Sequence, residues 1–112
     1  MQVRKQWIVA AAVAFAASGV AVAQQVDSSA AEALAKKSGC LKCHSVSQKK
    51  DAPSYKSIAE KYKGKPGAED ALYKHLTSNP KVKVDGKEEE HDAPKTKNEG
   101  EIRNLVRWVL SR

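Results

Sequence analysis

Residues 40 to 44 read Cys-Leu-Lys-Cys-His, a C-x-x-C-H run that holds the only two cysteines of the 112-residue sequence. Two thiols at this spacing, followed at once by an imidazole, suit one task closely. Each sulfur can add to a vinyl group of a single haem while the histidine takes its iron. A bare C-x-x-C also serves redox dithiols and forms half of a zinc site. A structural zinc wants four ligands, and beyond the two thiols the chain offers only His44, His75 and His91. A thioredoxin-type dithiol belongs in a βαβ setting, and no such pattern surrounds Cys40. The run is therefore read as the attachment site of one covalent haem c, with Cys40 and Cys43 as its anchors and His44 as an iron ligand.

The motif stands about 17 residues past a stretch that reads as an export signal, and it needs a scaffold to hold it. Residues 1–23 read as a signal peptide: Arg4 and Lys5 are its charged start, Trp7 to Val20 its apolar stretch, and Ala21-Val22-Ala23 a small-x-small cleavage site. Residues 24–112 then form one domain, 89 residues long, expected in the periplasm. The rival is an uncleaved anchor. The apolar stretch from Trp7 to Ala23 is 17 alanine-rich residues, short against the roughly 20 that a span requires. Membrane association is expected only if the signal stays uncleaved.

A domain of this size buries a modest core. Past residue 23 its aromatics are Tyr55, Tyr62, Tyr73 and Trp108, with no phenylalanine. A porphyrin is a large, flat apolar body and can serve as the centre that so few big side chains lack. Without Arg4 and Lys5 there are 18 basic against 13 acidic side chains, a net +5, and 15 of the basic ones are lysines spread along the chain. That diffuse pattern lacks the clustered arginines and stacking aromatics of a nucleic-acid module. It suits steering toward an acidic redox partner, and it also serves plain solubility.

The helices follow from pattern. Ser28 to Lys37 is rich in helix formers, with serines to cap its start, Lys36 and Lys37 at its negative end, and Gly39 as a stop just before Cys40. Val46 to Ala52 is polar and irregular, and Pro53 pins that loop. Tyr55, Ile58, Ala59 and Tyr62 make one apolar face over Ser54 to Lys63, ending at Gly64. A third helix opens at Gly67-Ala68-Glu69-Asp70, runs through Leu72, Tyr73, His75 and Leu76, and closes at Asn79-Pro80. Lys81 to Lys97 shows no sustained period, carries charges from Lys87 to Asp92, and reads as a long functional loop. The last segment sets Ile102, Leu105, Val106, Val109 and Leu110 on one face, with Asn98 or Thr96 as its cap. An all-α domain of about four helices around one haem is the economical architecture.

The chain resembles the class I cytochromes c, in particular the small bacterial cytochrome c-551/c-552 group. The resemblance rests on Gly39-Cys-Leu-Lys-Cys-His44, on Ala52-Pro53-Ser-Tyr55-Lys-Ser-Ile58-Ala-Glu-Lys-Tyr62, on Gly67-Ala-Glu-Asp-Ala-Leu72 and on Leu105-Val-Arg-Trp108-Val-Leu-Ser111. It implies that the carbonyl of Pro53 accepts from Nδ1–H of His44 and so fixes the ring's tautomer and angle. The glycine usual before this proline is Ala52 here, so a slightly different local backbone is expected. It also implies that Trp108 packs the last helix against the first, near the haem.

The departure lies on the other side of the iron. The family normally supplies a methionine sulfur from the loop before the last helix, yet the only methionine here is Met1. His91-Asp92-Ala93-Pro94 stands near the usual position, about 17 residues before Trp108. His91 is thus the candidate sixth ligand, with His44 the fifth, and one of Glu88, Glu89, Glu90 or Asp92 could hold its other ring N–H. Nitrogen in place of thioether favours ferric iron and should lower the potential. His75 is the competitor, either as a propionate partner or as a polar residue on a helix face. Lys83, Lys87, Lys95 and Lys97 are weaker candidates, because lysine is protonated near neutrality.

The expected function is single-electron carriage in the periplasm, by a monomer that meets redox partner proteins acidic at the contact. No separate acid, base or nucleophile constellation stands out, so no enzyme is expected. The alternative is a protein that binds or senses diatomic gases through a displaceable distal ligand. A stable subunit of a periplasmic oxidoreductase would carry the same sequence.

Overall fold

The computed structural model describes residues 11–14 and 25–112. The signal peptide read from residues 1–23 lies outside the described residues, apart from 11–14. Four α-helices follow one another: α1 (Ser28–Lys37), α2 (Tyr55–Tyr62), α3 (Ala68–Thr77) and α4 (Glu99–Leu110). A single 3-10 turn, Cys40–Lys42, follows α1, and two short strands, β1 (Lys81–Val84) and β2 (Lys87–Glu90), stand between α3 and α4. Among the described residues no helix is long and apolar enough to cross a membrane.

The helices begin where short polar side chains can accept from their free N–H groups. Asp27 accepts from Ala30 N–H at 3.0 Å, Ser54 from Ser57 N–H at 3.1 Å and Asn98 from Glu101 N–H at 3.0 Å. The cap of α1 is therefore Asp27 rather than the serines that follow it. A carboxylate accepts more strongly than a hydroxyl and suits the positive end of the helix. Asn104 on α4 also holds Asp27, accepting from its N–H and donating to its carbonyl, both at 2.9 Å. The first helix is thus tied to the last.

The core lies where α1, α2 and α4 meet. Ala31, Leu34 and Ala35 of α1 pack with Tyr55 of α2 and with Leu105, Trp108 and Val109 of α4. Small alanines let α1 approach α4 closely, and Trp108, only 2% exposed, fills the space between them. Helix α3 is joined to α4 by charge: Glu69 meets Arg103 at 3.2 Å and Arg107 at 3.0 Å, and Asp70 meets Arg103 at 2.9 Å. These pairs are partly solvated and contribute modestly.

The long loop expected over Lys81 to Lys97 is instead a hairpin followed by a shorter connection. Strands β1 and β2 pair antiparallel, Lys81 opposite Glu90 and Val84 opposite Lys87. Asp85 and Gly86 join them with φ of 50° and 76°, the positive dihedrals of the tight turn preferred between twisted strands. Lys-Val-Lys-Val alternates with period two, putting Val82 and Val84 on the less exposed face. Opposite charges pair across the strands, Lys81 with Glu90 and Lys83 with Glu88. Apart from the hairpin, the described residues keep the expected all-α architecture.

Candidate haem site

The proximal wall is built by the segment between α1 and α2. Gly39, at φ 76°, turns the chain out of α1, and His44 N–H returns to the Cys40 carbonyl at 3.0 Å. That tight turn keeps Cys40, Cys43 and His44 together on one side. The following loop is laced back to it: Ala52 N–H donates to Cys43 O at 3.0 Å, Tyr55 N–H to Ser45 O at 2.9 Å, and Lys50 Nζ to Leu41 O at 3.0 Å.

His44 Nδ1 stands 2.6 Å from the Pro53 carbonyl. A carbonyl only accepts, so the proton is on Nδ1, and Nε2 keeps the lone pair a metal needs. Ala52 in place of the usual glycine does not prevent this bond. Burial holds the His44 pKa below the ordinary histidine value; the Pro53 carbonyl acts in the opposite direction and His91 adds to the fall. The ring is therefore neutral near pH 7. Tyr55 stacks on it, ring centres 5.2 Å apart and planes 21° apart, and Trp108 meets Tyr55 edge-on at 5.5 Å.

Burial pushes the Cys40 thiol up, with a hydrogen bond from Tyr55 opposing the shift. Redox-active dithiols have lowered pKa values, so the microenvironment of Cys40 does not suit a dithiol oxidoreductase. Both cysteines are half-buried and unpaired.

In front of this wall opens a cavity of about 470 Å³, within the usual size of a cofactor pocket. Ile58 of α2, Leu72 and Leu76 of α3, and Leu105, Val106 and Val109 of α4 line it, while Cys40, His44 and Pro53 close the proximal side. His91, His75 and Val82 line it as well. The His44 and His91 ring centres are 6.3 Å apart, with planes at 51°. Two imidazoles that grip one metal from opposite sides have centres roughly 6 Å apart, given a metal–nitrogen distance of about 2 Å on each side. The cavity lined by both histidines therefore fits a haem.

His91 is held by its backbone. Its N–H donates to the Pro80 carbonyl at 2.8 Å, and its own carbonyl accepts from Asn79 Nδ2 at 3.2 Å. Its Nδ1 is buried without a hydrogen-bond partner in the structure. The carboxylate expected to hold that ring is not there, because Glu88, Glu89, Glu90 and Asp92 all face solvent. His75 lies edge-on to His91 with ring centres 4.7 Å apart, so the competitor occupies the same cavity rather than an outer helix face. Tyr55 is the residue that sequence reasoning undervalued. It registered as one member of an apolar face, whereas it stacks on His44 and reaches Cys40.

The chain gains most from this cavity when a flat apolar group fills it through the two thiols, which defines the class: a small helical c-type cytochrome. The chain belongs to the cytochrome c family, whose family model matches residues 28–112. It is 34% identical over 95 residues to cytochrome c-551 of Pseudomonas aeruginosa, covering 85% of this chain and 88% of that one. It is also 34% identical to cytochrome c-552 of Hydrogenobacter thermophilus, covering 71% and 79%. Among solved structures, Class 1 cytochrome MtoD from Sideroxydans lithotrophicus ES-1 superposes with a TM-score of 0.75 at 49% identity, over 78% of this chain and 97% of that one. The protein is a class I cytochrome c with one covalently bound haem c.

Proposed function

We propose that the protein is an exported, monomeric single-electron carrier of the periplasm, with its haem on Cys40 and Cys43 and its iron between His44 and His91. The observation that carries this reading is the pair of imidazoles that line one cavity with ring centres 6.3 Å apart. The absence of any methionine after Met1 supports it. Relatives named as cytochromes c-551 and c-552 support the carrier role.

When bound, the haem supplies a one-electron couple at its iron. The chain does the rest. Pro53 keeps the proton on His44 Nδ1, so that Nε2 is a permanent donor, and Tyr55 holds the ring in place by stacking. Leu72, Leu76, Leu105, Val106 and Val109 exclude water from the cavity. Two nitrogen donors favour the ferric state relative to a nitrogen and a thioether, so the potential lies below that of relatives with a methionine ligand.

Between Lys36 and Lys65 the sequence has nine lysines against two carboxylates, Asp51 and Glu60. This stretch contains the haem-attachment motif and presents an acidic partner with a favourable approach to it. The rival, gas-binding reading requires His91 to leave the iron readily. A redox titration of the holoprotein, with ferrous spectra before and after carbon monoxide, separates the two. A single one-electron transition and a ferrous spectrum that carbon monoxide converts only slowly are expected. Immediate conversion would replace the carrier reading with the gas-binding one.

A further inference from the structure

We propose that the β1–β2 hairpin is the arm that aims the distal ligand, with the Asp85–Gly86 turn setting its register and Asn79 clamping its base. This rests on the reading of His91 as the sixth ligand. The pairing of Lys81 with Glu90 makes Pro80 and His91 the next opposed positions, and the His91 N–H to Pro80 O bond at 2.8 Å continues the ladder there. His91 therefore shares a face with Glu89 and Lys87 on its own strand, and with Val82 and Val84 on the opposite one. Val82 lines the cavity beside it. A slip by one residue would turn Glu90 and Asp92 toward the cavity and His91 away.

Only a few features hold that register. The hairpin has two strands and an exposed β2, so its pairing is weak by itself. The turn adopts φ of 50° and 76° at Asp85 and Gly86, which selects a two-residue connection. At the base, Asn79 adopts φ 47° and donates from Nδ2 to the His91 carbonyl at 3.2 Å. Beyond His91 the strap is fastened again, where Lys95 N–H donates to the buried Ser38 hydroxyl at 2.9 Å. His91 thus sits on a short segment pinned at both ends, and the hairpin sets the pin nearer to it.

The test is the rate at which ferrous holoprotein binds carbon monoxide, since the gas can enter only after His91 departs. Gly86→Val forces a branched side chain into a left-handed backbone and should speed binding on the order of tenfold. Asn79→Ala removes the clamp and should speed it several-fold. Gly64→Val places a similar strain, at φ 71° and with nothing within 4 Å, after α2; it should leave the rate unchanged. Wild-type rates in both hairpin variants, or an equal increase in Gly64→Val, would overturn the inference. His91→Ala separates this outcome from failure of the underlying reading. If His91→Ala binds the gas at once while both hairpin variants match the wild type, the hairpin's role alone is wrong. If His91→Ala keeps the wild-type rate, the distal reading fails and this inference with it.

Discussion

The proton on His44 Nδ1 decides what that ring can do, and Pro53 decides where the proton sits. The anchoring motif was legible in the sequence, because C-x-x-C-H is a local code, whereas the Pro53 bond was implied by the family resemblance alone. The part played by Tyr55 was not legible, since its contacts with His44 and Cys40 depend on how the loop folds back. Burial raises the Tyr55 pKa above the ordinary tyrosine value. Above pH of about 10 an unfolded tyrosine ionises while Tyr55 in the folded protein keeps its proton, so stability must fall as pH rises from there toward the folded pKa. Tyr55→Phe should flatten that decline in denaturant melts taken across the alkaline range. An unchanged slope would place its cause elsewhere. Trp108, buried between α1 and α4 and edge-on to Tyr55, should cost about 3–5 kcal/mol when truncated to alanine, measured by unfolding of the holoprotein.

At the scale of elements, the four helices were readable because each combines an apolar face with local stop and start signals. The hairpin was hidden by its own charges. Asp85-Gly86 between Lys-Val-Lys-Val and Lys-Glu-Glu-Glu is a hairpin signal in turn chemistry, but β2 has no apolar residue to mark a buried face. Its stabilising pairs are lysines opposite glutamates, which in sequence look like a solvated charge run. The choice of Asp27 as the cap of α1 was equally obscure, since it depends on Asn104, 77 positions away. Asn104→Ala removes both bonds to Asp27 and should lower stability by about 1–2 kcal/mol with the absorption spectrum unchanged. A spectral change would mean that the α1–α4 tie reaches the haem site, which its position does not predict.

The whole molecule is organised around a group larger than any of its side chains. Helices α2 and α3 each pack against α4, and all three also line a common cavity. Motif and family resemblance announced this centre; the arrangement of three histidines around it required the fold, which brings positions 44, 75 and 91 together. The lysine-rich stretch around the motif should make electron transfer with an acidic partner fall in rate as salt is raised, because long-range steering is screened within about 8–10 Å at physiological ionic strength. A salt-independent rate would leave those lysines a role in solubility alone. The central claim is that one iron is held between His44 and His91, and the ferric absorption and paramagnetic resonance spectra of His91→Ala beside the wild type test it most directly. The wild type should be low-spin with two nitrogen axial ligands, and the variant should become high-spin and return to low-spin when imidazole is added. A variant that stays low-spin without added imidazole, with the wild-type spectrum, would contradict the claim.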